Sequence, residues 1–356
     1  MNTVLKKAAI ATGIIGLIVL FIQFCYKPYI KWSRAHVDYI TAVEDHPLNC
    51  LSCHLYTQRT GLIAKLINAD YYSPFNMAIS ADGKSLFIVA EEAGMLMITD
   101  TEKGKVMKKI KVGDQPHSVI LDKAEKYAFV SNQWSDNVSV IDLAEMAVTN
   151  TLKTGNGPAG LALSSDEKNL YVVNSYASDI SVISLESGKE IKRLSAGNNP
   201  SGIRMSADKS RLYVTSRRAL LAPYGEPVVS ELTVINDEDR VILKREHVES
   251  AYMIENMAFT PEGDLAIMPL IRPKNLVPSI QVDRGFIMTN GIGIIEQKPG
   301  GRIIQLLLDE PNEYFADPFG VAITPDGKKA FVSHSGVDRI SVVNIDSLRK
   351  IINEHS

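Results

Sequence analysis

Short apolar runs separated by polar turn residues recur along most of the chain with a constant period. Four prolines set that period, because they lie 42 residues apart: Pro74, Pro116, Pro158 and Pro200. Thirteen residues after each proline, an aromatic residue opens a run rich in β-branched side chains: Phe87, Phe129, Tyr171 and Tyr213. The pattern starts again at Pro318, and Ile254 takes the proline position in a fifth unit. This spacing predicts six copies of one supersecondary unit.

Each unit contains four apolar stretches of strand length. In the third unit these are GLALS, LYVVN, ISVIS and EIKRLS, separated by turns rich in Asp, Asn, Ser and Gly. Five or six residues are typical of a strand and too few for a helix. Four strands in 42 residues correspond to one blade of a β-propeller, so the predicted fold is all-β. A β-sandwich is the alternative, but chance spacing does not explain four positions that stay in phase over three intervals.

The runs FVSN, YVVN and YVTS, each followed by a VID-type strand, resemble the YVTN-type β-propeller repeat family. The turns SADG and TPDG fit the turn that this family places between its first two strands. The resemblance covers residues 74–346 and weakens in units four and five, which carry insertions. It implies a ring of about seven blades that is often extracytoplasmic. The family's functions vary, so the resemblance alone does not assign one.

Six units are visible, which raises the question of how the ring closes. The segment TGLIAKLINADYYSP (60–74) resembles the fourth strand of a unit and is expected to complete the last blade. The tail DSLRKIINEHS after Asn344 has the pattern of a helix start instead. The alternative is a truncated chain that lacks part of a seven-bladed ring. An open ring would expose sheet edges, which proteins usually avoid.

The N-terminal segment predicts a membrane anchor. Nineteen uncharged residues from Ala8 to Tyr26 follow Lys6 and Lys7, enough for a helix about 28 Å long. A cleaved signal peptide is the alternative, but the exit from the apolar run is bulky rather than small. The predicted organisation is therefore a transmembrane anchor (1–35), a linker (36–60) and the propeller (61–356).

Cys50, Cys53 and His54 form the sequence CLSCH, which has the c-type haem attachment pattern. Two thiols three residues apart can reach the two vinyl groups of one haem, and the histidine can ligate the iron. A thiol or disulfide pair and a zinc site remain alternatives. His46 is a candidate for the sixth iron ligand. Covalent haem would imply a bacterial cytoplasmic membrane protein with its propeller in the periplasm.

The first strand of each unit begins, and the second ends, at the same face of the propeller. His117, Asn132, Asn174 and His334 are expected at this face. The insertions also fall there, between the second and third strands, at 217–231 and 272–290. Arg217 and Arg272 would make the face basic and suited to a small anionic ligand. The alternative is that the inserted loops only plug the channel or pack against the anchor.

Composition and charge limit the classes of partner that the protein could bind. The net charge is -3 and no basic excess is present, which argues against nucleic acid as a partner. The first hypothesis is a haem c protein that exchanges electrons with a redox partner. The alternatives are a non-catalytic binding module with a Cys50–Cys53 disulfide and, third, a lactonase-like hydrolase. The motifs assign no catalytic residue, and an enzyme would be an oxidoreductase.

Overall fold

The computed structural model describes residues 72–223, 225–274, 288–310 and 315–354. In these residues the strands form six antiparallel sheets, five with four strands and one with three. The predicted all-β propeller with six blades is thereby confirmed. In the described part of the chain, no helix is long and apolar enough to cross a bilayer. The predicted anchor at 8–26 and the CLSCH motif lie outside the described residues.

The first three blades keep one pattern of strand lengths. The strands of blades one to three are β1 (Pro74–Ile79), β2 (Ser85–Ala90), β3 (Met95–Asp100), β4 (Lys105–Lys111), β5 (Pro116–Leu121), β6 (Tyr127–Asn132), β7 (Asn137–Asp142), β8 (Ala147–Lys153), β9 (Pro158–Leu163), β10 (Asn169–Asn174), β11 (Asp179–Ser184) and β12 (Lys189–Ser195). The last three blades vary more. Their elements are β13 (Pro200–Met205), β14 (Arg211–Ser216), β15 (Val229–Asn236), β16 (Val241–Glu249), β17 (Ala258–Phe259), β18 (Leu265–Pro273), β19 (Met288–Glu296), β20 (Ile303–Leu307), β21 (Pro318–Ile323), β22 (Lys329–His334), β23 (Arg339–Asn344) and the helix α1 (Ile345–Glu354).

The insertions lie where the sequence predicts them, between the second and third strands of blades four and five. In blade four the inserted residues form the connection from β14 to β15. In blade five they also lengthen the strands, because β18 and β19 pair from Leu265↔Glu296 to Pro273↔Met288. Residues 275–287 of this connection lie outside the described residues.

A sharp turn precedes every first strand. The residue before each proline position has positive φ: Ser73, Gln115, Gly157, Asn199, Met253 and Asp317. Met253 directly precedes Ile254, which confirms the predicted start of the fifth unit despite its short first strand. We call the end of the central channel at which the first strands begin the upper end. The turn places the residue after the proline position at the upper end.

Neighbouring blades are joined by apolar packing and by hydroxyl groups. Between blades three and four, one buried cluster includes Tyr171, Ile180, Val182 and Ile203. The Ser131 hydroxyl donates to the Ala159 carbonyl across the preceding interface, at 2.6 Å. Alternate residues of a strand face opposite sides of the blade, so large β-branched and aromatic side chains form a core on both faces of its sheet.

The sixth blade ends differently. After β23 the chain turns into α1, as the tail's sequence predicts, and the Asn344 side chain accepts the backbone N–H of Ser347 at 2.8 Å. An asparagine at this position is a favourable N-cap. Ile345, Leu348 and Ile352 pack on apolar residues of blades five and six. The Arg349 guanidinium holds the other side of the helix through Asp264, at 2.8 Å.

The first and sixth blades meet at the upper end of the channel. The rings of Phe75 in β1 and Phe319 in β21 lie 5.5 Å apart. Below this contact, apolar side chains on both blades are exposed, including Met77 of β1 and Ile340 of β23. In the described residues, no strand pairs with the outer edge of β23. The segment 60–74, expected to supply the fourth strand of this blade, lies outside the described residues up to residue 71, so its pairing stays a prediction.

Candidate functional site

The upper mouth of the channel is formed by one residue from each blade, the residue after the proline position. These residues are Phe75, His117, Ala159, Ser201, Glu255 and Phe319. The Phe75 ring joins two of them, because its centroid lies 4.7 Å from that of His117 and 5.5 Å from that of Phe319. The mouth is thus aromatic on one side, while Glu255 brings a carboxylate from the fifth blade.

His117 is a buried imidazole whose two ring nitrogens, Nδ1 and Nε2, have no hydrogen-bond partner. Burial, with a smaller contribution from the positive charge of Arg217, lowers the pKa of His117 to about 3. The ring is therefore neutral at physiological pH. A neutral histidine with both nitrogens unused can donate one hydrogen bond and accept another from a ligand at the mouth.

Arg217 follows β14 and reaches the mouth from blade four. Its guanidinium forms an ion pair with the carboxylate of Glu255, with Nη2 3.0 Å from Oε2 and Nε also in contact. The Glu255 side chain is almost fully buried, whereas that of Arg217 is partly exposed. Burial raises the pKa of Glu255, and the hydrogen bond and charge of Arg217 counter that shift. One hydrogen bond and one further close charge contact therefore join the two groups at the channel mouth.

A second carboxyl group, Glu91, lies within electrostatic reach of Arg217. Burial raises the pKa of Glu91, the side chain of Gln115 hydrogen-bonds to it, and the charge of Arg217 favours its ionised form. Residues of blades one, two, four and five therefore interact around one arginine. This convergence resembles the few polar groups, placed in a desolvated setting, that are typical of ligand pockets.

Above the mouth, the residues eighteen positions after the proline position form a rim, which has an aromatic half and a basic half in blades two to five. Trp134 and Tyr176, on adjacent blades, are exposed aromatic residues. Arg218 and Arg272, on the next two blades, are exposed cations. The hydroxyl of Tyr176 donates to Gln133 Oε1 at 3.2 Å, which steadies the aromatic half. Trp, Tyr and Arg are the residue types enriched in binding hot spots.

The predicted site residues Asn132 and Asn174 are used within their own blades. Asn132 accepts the N–H of Gly113 at 3.1 Å, and its amide donates to Ser139 Oγ at 2.9 Å. The amide of Asn174 donates to Ser181 Oγ at 2.9 Å. Both side chains are fully buried. Both asparagines hold the third strand to the end of the second strand, and Asn132 also holds the entry loop.

His334 occupies the equivalent position in the sixth blade. Its Nδ1 lies 2.8 Å from the Phe315 carbonyl and its Nε2 lies 2.8 Å from Ser341 Oγ. Its partners occupy the same repeat positions as those of Asn132, so a histidine here replaces the asparagine of blades two and three. His334 is thus on the predicted face, but its ring nitrogens are occupied.

The structure brings together His117 and Arg217 from the predicted set, and it places Arg272 on the rim. Cys50, Cys53, His54 and His46 lie outside the described residues. Sequence reasoning missed Glu255, although it occupies the same repeat position as His117. In the described part of the chain, no three His, Cys, Asp or Glu side chains form a cluster that could hold a metal ion.

Comparison with known proteins supports a propeller of this repeat type. Residues 122–211 match the family described as YNCE-like beta-propeller. The hydrazine synthase subunit beta of Kuenenia stuttgartiensis is 25% identical over 146 residues, which is 38% of either chain. The chain thus matches well under half of that curated relative's length. In a structure of Kuenenia stuttgartiensis hydrazine synthase, one chain matches 80% of this chain and 80% of its own length, with 25% identity and a TM-score of 0.74.

Two solved structures from Bacteroides share the fold at lower similarity. A protein of Bacteroides uniformis assigned as a 6-phosphogluconolactonase is 14% identical, with a TM-score of 0.57 over 76% of this chain and 80% of its own. Its counterpart from Bacteroides fragilis is also 14% identical, with a TM-score of 0.56 over 78% of this chain and 81% of its own. At this identity the likeness concerns the fold alone.

Proposed function

We propose that this chain is a membrane-anchored periplasmic haem c protein whose propeller docks a redox partner on its upper rim. The observation that carries the docking role is the rim itself, with Trp134 and Tyr176 on one half and Arg218 and Arg272 on the other. Aromatic and arginine side chains on a rigid scaffold are typical of protein docking surfaces. This chain is similar to a chain in a structure of hydrazine synthase and to the protein named as the beta subunit of that enzyme. These similarities support a role within an assembly.

The haem part of the proposal rests on the donor set Cys50, Cys53 and His54. The two thiols would hold the porphyrin through thioether bonds, and the imidazole of His54 would ligate the iron. When bound, the group supplies one-electron chemistry. His46 remains the proposed sixth ligand.

The first test is a pyridine haemochrome spectrum with intact mass on the full-length chain, produced together with c-type haem attachment machinery. We expect a c-type band and the mass of one haem. The Cys50→Ser/Cys53→Ser variant serves as the control and should lose both signals while its propeller still folds. A wild-type chain without covalent haem under these conditions refutes the haem proposal.

The docking part has its own test. In membranes that contain the haem-loaded chain, respiratory substrate should reduce the haem more slowly when Trp134 and Tyr176 are replaced by alanine. A fall of about tenfold corresponds to the loss of one moderate hot spot, about 1.4 kcal/mol. Reduction by dithionite, which needs no docked partner, is the control and should be unchanged. Equal respiratory rates in both proteins would contradict the docking role.

A second candidate function is a binding module for a small anionic ligand at the channel mouth, with the Cys50–Cys53 pair as a disulfide. The unpaired nitrogens of His117 beside Arg217 favour it. Replacing Arg217 and Arg272 should then abolish ligand binding while the propeller still folds. The lactonase-like hydrolase stays a prediction, because the likeness to those structures concerns the fold alone.

A further inference from the structure

The lower end of the channel, opposite the His117 mouth, contains a cationic residue that breaks the repeat. Four residues after the proline position, five blades carry small or apolar side chains: Ala78, Ile120, Ala162, Ala258 and Ala322. Blade four carries Arg204 there, in the strand β13. Because first strands run downward from the upper end, Arg204 lies close to the lower end of the channel. A charged side chain at a position that is small or apolar in the other five blades indicates that its charge binds something.

Arg204 has no acidic partner among the described residues. Its guanidinium makes one hydrogen bond, from Nη1 to the Ile203 carbonyl at 3.2 Å. Burial alone lowers the pKa of Arg204, with no contribution from a neighbouring charge. A guanidinium stays protonated despite such a shift, so a half-buried positive charge lies here without an acidic partner among the described residues. Buried charges are normally paired, because an unpaired one is costly.

A cleft of about 310 Å³ adjoins Arg204 and is formed by the lower ends of β5, β9 and β13. Lys123 and Lys209 also line it, together with one carboxylate, Glu167. That carboxylate already accepts the backbone N–H of Lys123 at 3.0 Å. The cleft therefore has three cationic side chains and one acidic side chain, which favours an anion.

The remaining lining is apolar and only partly buried. Ile120, Leu121, Leu163 and Met205 all face the cleft and keep part of their surface accessible. Apolar surface left open beside a partly desolvated guanidinium suits a ligand with an anionic head and a short hydrocarbon tail. The head would take the parallel N–H groups of the guanidinium, as carboxylates do.

We propose that the cleft around Arg204 binds a small organic carboxylate with a short aliphatic chain. This site lies at the opposite end of the channel from the mouth and is independent of the proposed haem and docking roles. Its volume admits a molecule of a few carbon atoms beside the carboxylate.

The experiment is isothermal titration of the full-length chain in detergent with sodium butyrate at constant ionic strength. Butyramide is the matched neutral probe, and acetate and nitrate test whether the tail contributes. We expect butyrate to bind at least tenfold more tightly than butyramide and more tightly than acetate or nitrate. Equal binding of butyrate and nitrate would overturn the organic ligand, and no binding of butyrate would overturn the site.

Variants make the assignment to Arg204 falsifiable. Arg204→Met keeps the length of the side chain and removes its charge, so butyrate affinity should fall at least tenfold. Without ligand this variant should melt at the same temperature as wild type or a few degrees higher, because an unpaired, half-buried charge is gone. Arg211→Met, an exposed change on the neighbouring strand, is the control and should bind butyrate normally. Unchanged affinity in Arg204→Met overturns the proposal.

Discussion

Two interfaces between neighbouring blades carry the same residue types at the same repeat positions but differ in burial. Between blades three and four, Ile180 and Val182 are fully buried. Their equivalents at the junction of blades six and one, Ile340 and Val342, are 64% and 57% exposed. The repeat therefore encodes an apolar surface in both places, while only one of them is covered by described residues. Apolar side chains at a repeat position show that a blade face can pack against a neighbour. They do not show that the face is buried at every interface.

The largest expected effect separates the two interfaces directly. Ile180→Ala removes methyl groups from a packed cluster and should cost about 3–4 kcal/mol of unfolding free energy. Ile340→Ala at the equivalent exposed position should cost less than about 1 kcal/mol. Denaturant titration of the full-length chain in detergent measures both. A loss for Ile340→Ala as large as that for Ile180→Ala would mean that the face around Ile340 is buried in the full-length protein.

A smaller effect is expected at the hydrogen-bond network that ends the second strands of blades two, three and six. A Cβ on Gly155 would lie 2.5 Å from Nδ2 and 2.7 Å from Cγ of Asn174. Gly155→Ala should therefore cost about 2 kcal/mol, because the crowded amide is fully buried.

In the sixth blade the same network contains His334 instead of asparagine. His334→Asn should cost about 1 kcal/mol or less, since an amide can still donate and accept. His334→Leu is the matched contrast, because it leaves the Phe315 carbonyl and the Ser341 hydroxyl without this partner, at about 1–3 kcal/mol. Thermal unfolding of the three proteins measures the order. Equal stability of the two variants would show that these hydrogen bonds contribute little.

The sequence predicts the strands well because their signal is local. An aromatic residue thirteen positions after a proline marks the second strand wherever it occurs, from Phe87 in β2 to Phe331 in β22. Ile254 also marked the fifth unit correctly, because the turn before a first strand depends on adjacent residues. The helix after β23 follows from its own cap and apolar spacing. These features need no information from distant parts of the chain.

The site is less accessible to sequence reasoning because its contacts are distant in sequence. Arg217 and Glu255 are 38 residues apart, and the sequence around Arg217 does not indicate that its charge is paired. The asparagine positions carried a usable signal. Asn132 and His334 are each followed seven positions later by a serine that bonds to them, which indicates a structural pair. A polar residue that recurs with a serine partner in three units, as it does in blades two, three and six, is more typical of a scaffold than of a site.

The last prediction uses His117 to test how tightly blades one and six close above the exposed interface. Burial lowers the pKa of His117 to about 3, whereas an unfolded histidine has a pKa of about 6.5. Between these values the unfolded chain binds a proton that the folded chain does not. The contribution of His117 to the unfolding free energy is therefore at its maximum above pH 6.5. As the pH falls below that value, the unfolding free energy should decrease by up to about 1.4 kcal/mol per pH unit.

His117→Phe is the matched variant, because phenylalanine occupies this position in the first and sixth blades. The difference in unfolding free energy between wild type and variant should change with pH below 6.5 and stay constant above it. Titration of the imidazole by NMR gives the direct reading, and the ring should remain neutral at pH 5. An imidazole that titrates near its ordinary pKa would mean that water reaches His117. The contact of Phe75 with Phe319 would then not seal the junction, and the exposed interface of blades six and one would extend up to the channel mouth.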